Sequence, residues 1–218
     1  MKNIKTKDFT LIELMLVIAI IGILSTILIP ALSKAREKSL SALCKSQMRQ
    51  CGVSISMYLN DWDNWMPTVD GHGASDTQHG WRRSLAKYMD DVKPWQPPFK
   101  CPSSNLSFNT WPGHDAGTSY NREFGDSRFK SRPGKKVTEM ELPTETAVIG
   151  DSIDWAKKWA VASRLLKPSS SADPIPVGNR HYGGINILWG DFSVRWMSQS
   201  ELRTGKNGNI DYYYILRK

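Results

Sequence analysis

The sequence lacks the short motifs by which many enzymes are recognised. It contains no GxSxG nucleophile elbow, no CxxC pair, no HExxH motif and no glycine-rich phosphate loop. Its histidines are few and stand apart from one another: His72, His79, His114 and His181. We therefore expect neither enzymatic activity nor a bound cofactor.

The sequence also lacks internal repeats and a basic stripe of the kind that follows nucleic-acid phosphates. Its net charge is +8, with 29 Lys and Arg residues against 21 Asp and Glu. A basic surface can attract anionic polymers, but these charges are scattered along the chain. Ordinary solvation is the simpler explanation, and we expect no specific nucleic-acid partner.

What the chain does contain is one long apolar run. Residues 9–32 read FTLIELMLVIAIIGILSTILIPAL, and about 20 mostly apolar residues suffice to span a bilayer. The run carries a single carboxylate, Glu13. Because a charge inside a membrane costs roughly 2 to 3 kcal/mol unless it is paired, we expect Glu13 to find a cationic partner.

A short basic leader, residues 1–8, precedes this run. It contains Lys2, Lys5 and Lys7 but no apolar stretch of its own, unlike a secretory signal peptide. The excess of lysines predicts a cytoplasmic leader and export of the remainder. If a peptidase cut between Asp8 and Phe9, the new amino group of a neighbouring chain could neutralise Glu13.

The order of FTLIE, an aliphatic run, Pro30 and AREKS resembles the processing site of type IV pilins and type II secretion pseudopilins. The resemblance implies that a prepilin peptidase cleaves between Asp8 and Phe9 and methylates Phe9. It also implies that Glu13 is the assembly glutamate and that Pro30 kinks the helix. The family usually has glycine before the cut, where this chain has Asp8.

The resemblance further implies a structural subunit of a type IV pilus-like fibre or of a type II secretion pseudopilus. Such a subunit is anchored in the inner membrane by a single span, and its head lies in the periplasm or, after assembly, outside the cell. Its partners would be other pilin-like subunits in a homo- or hetero-polymer, prepilin peptidase, an inner-membrane assembly platform and membrane lipid. The alternative is a membrane-anchored exported protein that does not polymerise, either a glycan- or metal-binding protein or a hydrolase.

The expected fold is α+β and pilin-like, with a long N-terminal helix packed on a small antiparallel sheet. Residues 9–32 would form its hydrophobic transmembrane half, residues 33–62 its amphipathic half and residues 63–218 the exported globular head. Apolar residues recur at spacings of three and four beyond Pro30, which predicts one continuing helix that stops near Asp61 to Pro67. The predicted buried stripe comprises Leu40, Leu43, Cys44, Met48, Cys51, Ile55, Tyr58 and Leu59.

The head divides into a loop-rich part and a strand-rich part. Residues 67–132 are rich in Gly, Pro, Ser, Asn and Asp, which predicts long loops and one short helix over Trp81 to Met89. From Lys136 onward we expect strands at residues 146–149, 185–189 and 192–197. The last two would form a hairpin whose Gly190-Asp191 turn is of type II′.

Three cysteines in an exported chain suggest one disulfide and one spare thiol. Cys44 and Cys51 are seven residues apart in the predicted helix, and the resulting separation of about 10 Å is too long for a disulfide. Cys101 is then the partner, and the resemblance favours Cys44, because related sequences often place cysteines at both positions. Three reduced cysteines remain the alternative.

The segment HYGGINILWGDFSVRW resembles a C-terminal signature of an environmental-bacterial branch of pilin-like proteins, histidine, nine residues, then Asp-Gly. His181 and Asp191 fit this spacing, and Phe192 replaces the glycine. Asp151, His181 and Asp191 also form a candidate metal-binding or hydrolytic set, although turn residues of these types more often bind backbone groups. Nine tryptophans, several of them in or beside loops, leave glycan binding as a further hypothesis.

Overall fold

The computed structural model describes residues 10–68, 80–93, 96–103, 117–125, 134–151, 164–165, 180–206 and 213. By contacts the chain divides into two compact units, Met1–Ser39 and Leu40–Lys218. The described helices and strands are, in order, α1 (Leu11–Asp61), α2 (Gly80–Ala86), β1 (Thr118–Asn121), β2 (Ala147–Asp151), β3 (Arg164–Leu165), β4 (Gly184–Trp189), β5 (Val194–Ser198) and α3 (Gln199–Thr204).

The first unit contains the apolar part of α1. Every large apolar side chain from Leu11 to Leu32 that the structure describes is exposed. The helix is long and apolar enough to cross a membrane. Pro30 lies inside α1 and does not end it.

The second half of α1 is amphipathic and belongs to the second unit. Its buried residues are Ser41, Cys44, Gln47, Met48, Cys51, Gly52, Ser54, Ile55, Tyr58 and Leu59. Six of the eight residues of the predicted stripe are therefore buried, whereas Leu40 is partly buried and Leu43 is 49% exposed. Small residues take buried positions because the sheet packs closely: a Cβ on Gly52 would lie 3.1 Å from Leu188 Cδ1.

The sheet has the strand order β3-β1-β2-β4-β5. Neighbouring strands among β1, β2, β4 and β5 pair antiparallel, which confirms the predicted α+β layout of a long helix on a small antiparallel sheet. The two-residue strand β3 adds a parallel edge beside β1. Strand β1 lies in the segment that was predicted to form loops. All four of its residues are buried, so its sequence lacks the alternation of apolar and polar residues that identifies a half-buried strand.

The described residues of the head form two apolar clusters. The larger one joins the buried face of α1 to Trp81, Phe99 and Tyr120. The Trp81 ring stacks on Tyr120 with 5.2 Å between centroids and meets Phe99 edge-on at 5.6 Å. The smaller cluster contains β-sheet residues and Leu202 of α3.

The predicted hairpin is present as β4 and β5, but its predicted type II′ turn is wrong. Phe192 N–H donates to Trp189 O, Trp189 N–H donates to Ser193 O, and the positive φ falls at Phe192 (62°). This pattern is a three-residue loop with a left-handed third residue, so Phe192 lies in the turn and not in the strand. Gly190 is favoured for another reason, since a Cβ there would lie 3.0 Å from the backbone oxygen of Pro143 and 3.1 Å from its Cα.

The predicted short helix is also present, but it is shorter than expected. It spans Gly80–Ala86, and the chain then turns through Asp90 and Asp91 with φ values of 52° and 53°. Of the tryptophans near loops, Trp81 is buried, whereas Trp62 and Trp65 are 46% and 38% exposed. Trp95 and Trp111 lie outside the described residues.

Candidate functional site

The predicted processing residues, Asp8 and Phe9, lie outside the described residues. Glu13 occupies the first turn of α1. Its Oε2 accepts hydrogen bonds from Thr10 N at 2.9 Å and Thr10 Oγ1 at 2.8 Å, while Glu13 N–H donates to Thr10 Oγ1 at 3.3 Å. These reciprocal bonds form a capping box, which satisfies helix-terminal N–H groups and holds the carboxylate at the start of the helix.

The head contains a buried cluster of four side chains with metal-binding atoms. Cys44, Cys101, Asp151 and His181 each offer one ligand atom, and these four atoms lie within 4.8 Å of one another. Cys44 is 1% exposed and the other three are 0% exposed. Residues that are far apart in the sequence therefore lie together in one buried site of the head.

Two of these residues sit on elements predicted from the sequence. Cys44 lies on the buried face of α1. Asp151 is the last residue of β2, where it pairs with Thr118 of β1, and its Oδ2 accepts a hydrogen bond from Asn186 N–H of β4 at 3.0 Å. The carboxylate is thus fixed by the sheet itself.

The other two residues come from connecting segments. Cys101 follows Phe99, whose ring is in the core and whose carbonyl accepts a hydrogen bond from Thr118 Oγ1 at 2.5 Å. His181 starts a tight turn in which its backbone exchanges two hydrogen bonds with Gly184, both 3.2 Å long. Tyr182 and Gly183 form the turn with φ values of 57° and 74°, the geometry of a type I′ hairpin.

Within the cluster, hydrogen bonds link all four side chains. Cys44 Sγ donates to Asp151 Oδ1 at 3.2 Å. His181 Nε2 lies 3.2 Å from Asp151 Oδ2 and 3.5 Å from Cys101 Sγ. His181 Nδ1 is buried and has no hydrogen-bond partner among the described residues.

The contacts shift the pKa values of three of these groups. The pKa of Cys44 is raised, first by its hydrogen bond to Cys101 and then by burial. The same hydrogen bond lowers the pKa of Cys101, and His181 adds to this effect against the opposing effect of burial. Burial alone would lower the pKa of His181, but hydrogen bonds to Asp151 and Cys101 outweigh it and raise the pKa to about 9. The arrangement therefore favours a Cys101 thiolate beside a protonated imidazole.

This geometry does not suit a cysteine-histidine-aspartate relay. In such a relay the histidine uses one ring nitrogen for the nucleophile and the other for the carboxylate. Here Cys101 and Asp151 both approach Nε2, and the cluster is closed to solvent. The four side-chain atoms lie within 4.8 Å of one another, a grouping that could hold a metal ion and that differs from the linear order of a catalytic relay.

The remaining predicted site residue, Asp191, is separate from this cluster. It is exposed in the β4–β5 turn, where its Oδ1 accepts hydrogen bonds from Ser193 N at 3.0 Å and Ser193 Oγ at 2.7 Å. The predicted backbone-binding role of a turn aspartate describes this contact. Of the candidate metal set, Asp151 and His181 come together, and Cys44 and Cys101 take the place of Asp191.

All three cysteines are free thiols in the structure. Cys51 is buried on α1, with Sγ 4.0 Å from Pro98 O, and it is not part of the cluster. The Cys44–Cys101 disulfide stays a prediction. The sequence did not predict that Cys44 and Cys101 lie beside Asp151 and His181. It predicted the cysteines as a disulfide and the other two residues as part of a metal site, without linking the two pairs.

The apolar helix and the α+β head define a pilin-like class of protein, and sequence comparison gives the family. No protein-family model and no solved structure match the chain. A curated relative, the type IV major fimbrial protein FimA of Dichelobacter nodosus, is 32% identical over 160 residues, which cover 73% of this chain and 94% of the relative. The chain therefore belongs to the type IV fimbrial protein family. Because this relative is a fimbrial protein and not an enzyme, the comparison is consistent with the expectation that the chain is not an enzyme.

Proposed function

We propose that this chain is a structural subunit that polymerises through residues 11–32 into a type IV pilus-like fibre or a type II secretion pseudopilus. The observation that carries the proposal is the exposed apolar surface of α1 between Leu11 and Leu32. Such a surface is stable in lipid or against similar helices, but not in water. The fimbrial relative supports the same role.

Glu13 is the residue that would align neighbouring subunits. Thr10 gives its Oε2 two hydrogen bonds but no positive charge, so the capping box orients the carboxylate without neutralising it. After cleavage between Asp8 and Phe9, the amino group of an adjacent chain supplies the missing cation. A charge pair in an apolar environment is favoured over a lone carboxylate, and it would fix the stagger between subunits.

Processing by prepilin peptidase, with the leader in the cytoplasm, precedes assembly in this proposal. The membrane-inserted subunit then passes to an inner-membrane assembly platform, and the head lies in the periplasm or outside the cell. Mass spectrometry of fibres from native cells should find an amino terminus at methylated Phe9. Fibres built from chains that retain Met1 would contradict the processing step.

The assembly step is tested by Glu13→Gln. Glutamine can keep the capping box and removes only the charge, so the variant should fold and insert into the membrane but form few or no fibres. The matched control is Thr10→Ala, which removes the cap and keeps the carboxylate. We expect this control to cost about 1 kcal/mol of helix stability and to assemble.

The measurements are membrane fractionation and electron microscopy of sheared fibres, made on both variants in the same cells. If Glu13→Gln assembled as the unsubstituted chain does, the charge-pair proposal would be wrong. If neither variant nor the unsubstituted chain formed fibres or entered a secretion pseudopilus, the subunit role itself would be contradicted.

A further inference from the structure

We propose that Cys44, Cys101, Asp151 and His181 bind one Zn²⁺ ion, which ties the loop carrying Cys101 to helix α1 and to the sheet. Two thiolates, an imidazole and a carboxylate are ligands that zinc accepts in tetrahedral sites. Four protein ligands leave no open position, so the site would be structural and not catalytic.

The interatomic distances fit such a site. Tetrahedral zinc with bonds of about 2.3 Å to sulfur and about 2.1 Å to nitrogen and oxygen separates nitrogen from oxygen by about 3.4 Å, and sulfur from either by about 3.6 Å. The observed distances are 3.2 Å from His181 Nε2 to Asp151 Oδ2 and 3.5 Å from His181 Nε2 to Cys101 Sγ, and Cys44 Sγ lies 3.2 Å from the other carboxylate oxygen, Asp151 Oδ1. One ligand atom from each of the four residues lies within 4.8 Å of the others, so small shifts would bring these atoms to tetrahedral spacing.

The direction of the ligand atoms supports the same conclusion. Nε2 of His181 faces both Cys101 and Asp151, so the lone pair that this nitrogen gains on losing its proton points into the cluster. Asn186 N–H holds Asp151 Oδ2 from the strand side at 3.0 Å. Supporting hydrogen bonds of this kind orient the ligands of metal sites.

Burial and charge also favour a cation at this point. In the metal-bound state two thiolates and a carboxylate carry three negative charges, and the four side chains are at most 1% exposed. Buried charges require paired or metal partners. One Zn²⁺ reduces the charge of the cluster to about −1, and the protons of the thiols and of Nε2 are released on binding.

A disulfide between Cys44 and Cys101 is the competing state of the same residues. It would bring the two sulfurs to about 2.05 Å from each other. Asp151 and His181 would then have no thiol or thiolate with which to form a hydrogen bond. In the structure both are free thiols that are hydrogen-bonded to each other, and each sulfur has a further partner, Asp151 for Cys44 and His181 for Cys101. A metal ion would use all four side chains, whereas a cross-link would use only two of them.

The test uses the full chain purified in detergent, because the two states differ in metal and thiol content. The zinc site predicts one zinc per chain by elemental mass spectrometry and three titratable thiols after unfolding with a chelator. After metal removal under reducing conditions, Co²⁺ should bind once per chain with a thiolate-to-cobalt absorption band and the strong visible bands of tetrahedral cobalt.

Matched variants locate the site. Cys44→Ser and Cys101→Ser should each weaken Zn²⁺ and Co²⁺ binding by more than about 100-fold, since loss of an outer partner alone typically costs 10- to 100-fold. The control is Cys51→Ser, which alters the other buried cysteine of α1 and should leave binding unchanged. Asp191→Asn is a second control, because that carboxylate lies in the exposed turn.

Three results from the binding and thiol measurements would overturn the proposal. One is a reduced full chain that binds no stoichiometric Zn²⁺ or Co²⁺. Another is protein from cells that shows a single thiol on unfolding and a Cys44–Cys101 disulfide by peptide mapping. The third is equal loss of binding in Cys51→Ser and Cys44→Ser.

X-ray absorption of the unsubstituted zinc form keeps the test decisive if the serine variants do not fold. Two sulfur ligands at about 2.3 Å with two lighter ligands at about 2.0 to 2.2 Å would support the site. Coordination by nitrogen and oxygen alone would refute it.

Discussion

Two adjacent glycines hold His181 in place for different reasons, and alanine substitutions separate these reasons. Gly183 has a φ of 74°, and a Cβ on it would meet nothing within 4 Å. A Cβ on Gly184 would collide with the backbone oxygen of Met197 and lie 2.6 Å from the ring of Trp196. Gly183 thus allows a left-handed backbone conformation, whereas Gly184 allows strand β5 to pack close to the turn.

The expected costs follow from these contacts. Overpacking costs about 1 to 3 kcal/mol, and Gly184→Ala should reach about 3 kcal/mol because the clash is with the backbone of Met197, which must shift to relieve it. Gly183→Ala places a side chain in the left-handed region, at a cost of about 1 to 2 kcal/mol. Gly183→Asn should cost less, since asparagine tolerates this conformation.

Thermal unfolding of the full chain in detergent, followed by tryptophan fluorescence, measures these costs. A chelator is included so that metal binding does not add to stability. At about 2 to 4 °C per kcal/mol for a domain of this size, Gly184→Ala should lower the Tm by about 6 to 12 °C. Gly183→Ala should lower it by less, and Gly183→Asn by least. The reasoning is refuted if Gly184→Ala unfolds at the unsubstituted midpoint or if Gly183→Ala is the more damaging change.

Two further predictions concern the core and the turn. Ile55→Ala should lower the free energy of unfolding by about 2 to 5 kcal/mol in urea titrations, because Ile55 is 0% exposed. The control, Leu43→Ala on the exposed face of α1, should change the free energy of unfolding by less than about 0.5 kcal/mol. Equal losses in the two variants would contradict the assigned buried face of the helix. Trp196→Phe removes the hydrogen bond from Trp196 Nε1 to His181 O, which is 2.6 Å long, and should lower the free energy of unfolding by about 1 kcal/mol. An unchanged midpoint of urea unfolding would show that this bond does not stabilise the turn.

The elements with a strong local pattern were predictable from the sequence. Helix α1 follows from an apolar run continued by apolar residues at helical spacing, and it ends at Asp61 as expected. Strands β2, β4 and β5 follow from short apolar or alternating segments beside turn residues. Strand β1 was not predictable, because Thr118, Ser119 and Asn121 are polar and are buried only through the partners that surround them.

The turn after β4 shows where local rules fail. Gly190 suggested a type II′ turn, yet the left-handed residue is Phe192. Phe192 packs against the larger core cluster, so tertiary packing outweighs the preference for glycine at that φ. The glycine is instead favoured by the close approach of the Pro143 backbone.

The sequence by itself determined the membrane-competent helix, its lone carboxylate and the family, because these depend on the order of neighbouring residues along one segment. Only the tertiary structure decided that Cys44, Cys101, Asp151 and His181 share one centre, and that Asp191 does not. These four residues lie on a helix, a loop, a strand and a turn that are far apart along the chain. Their distances are set by how the sheet packs on α1, which is a property of the whole head and not of any local pattern.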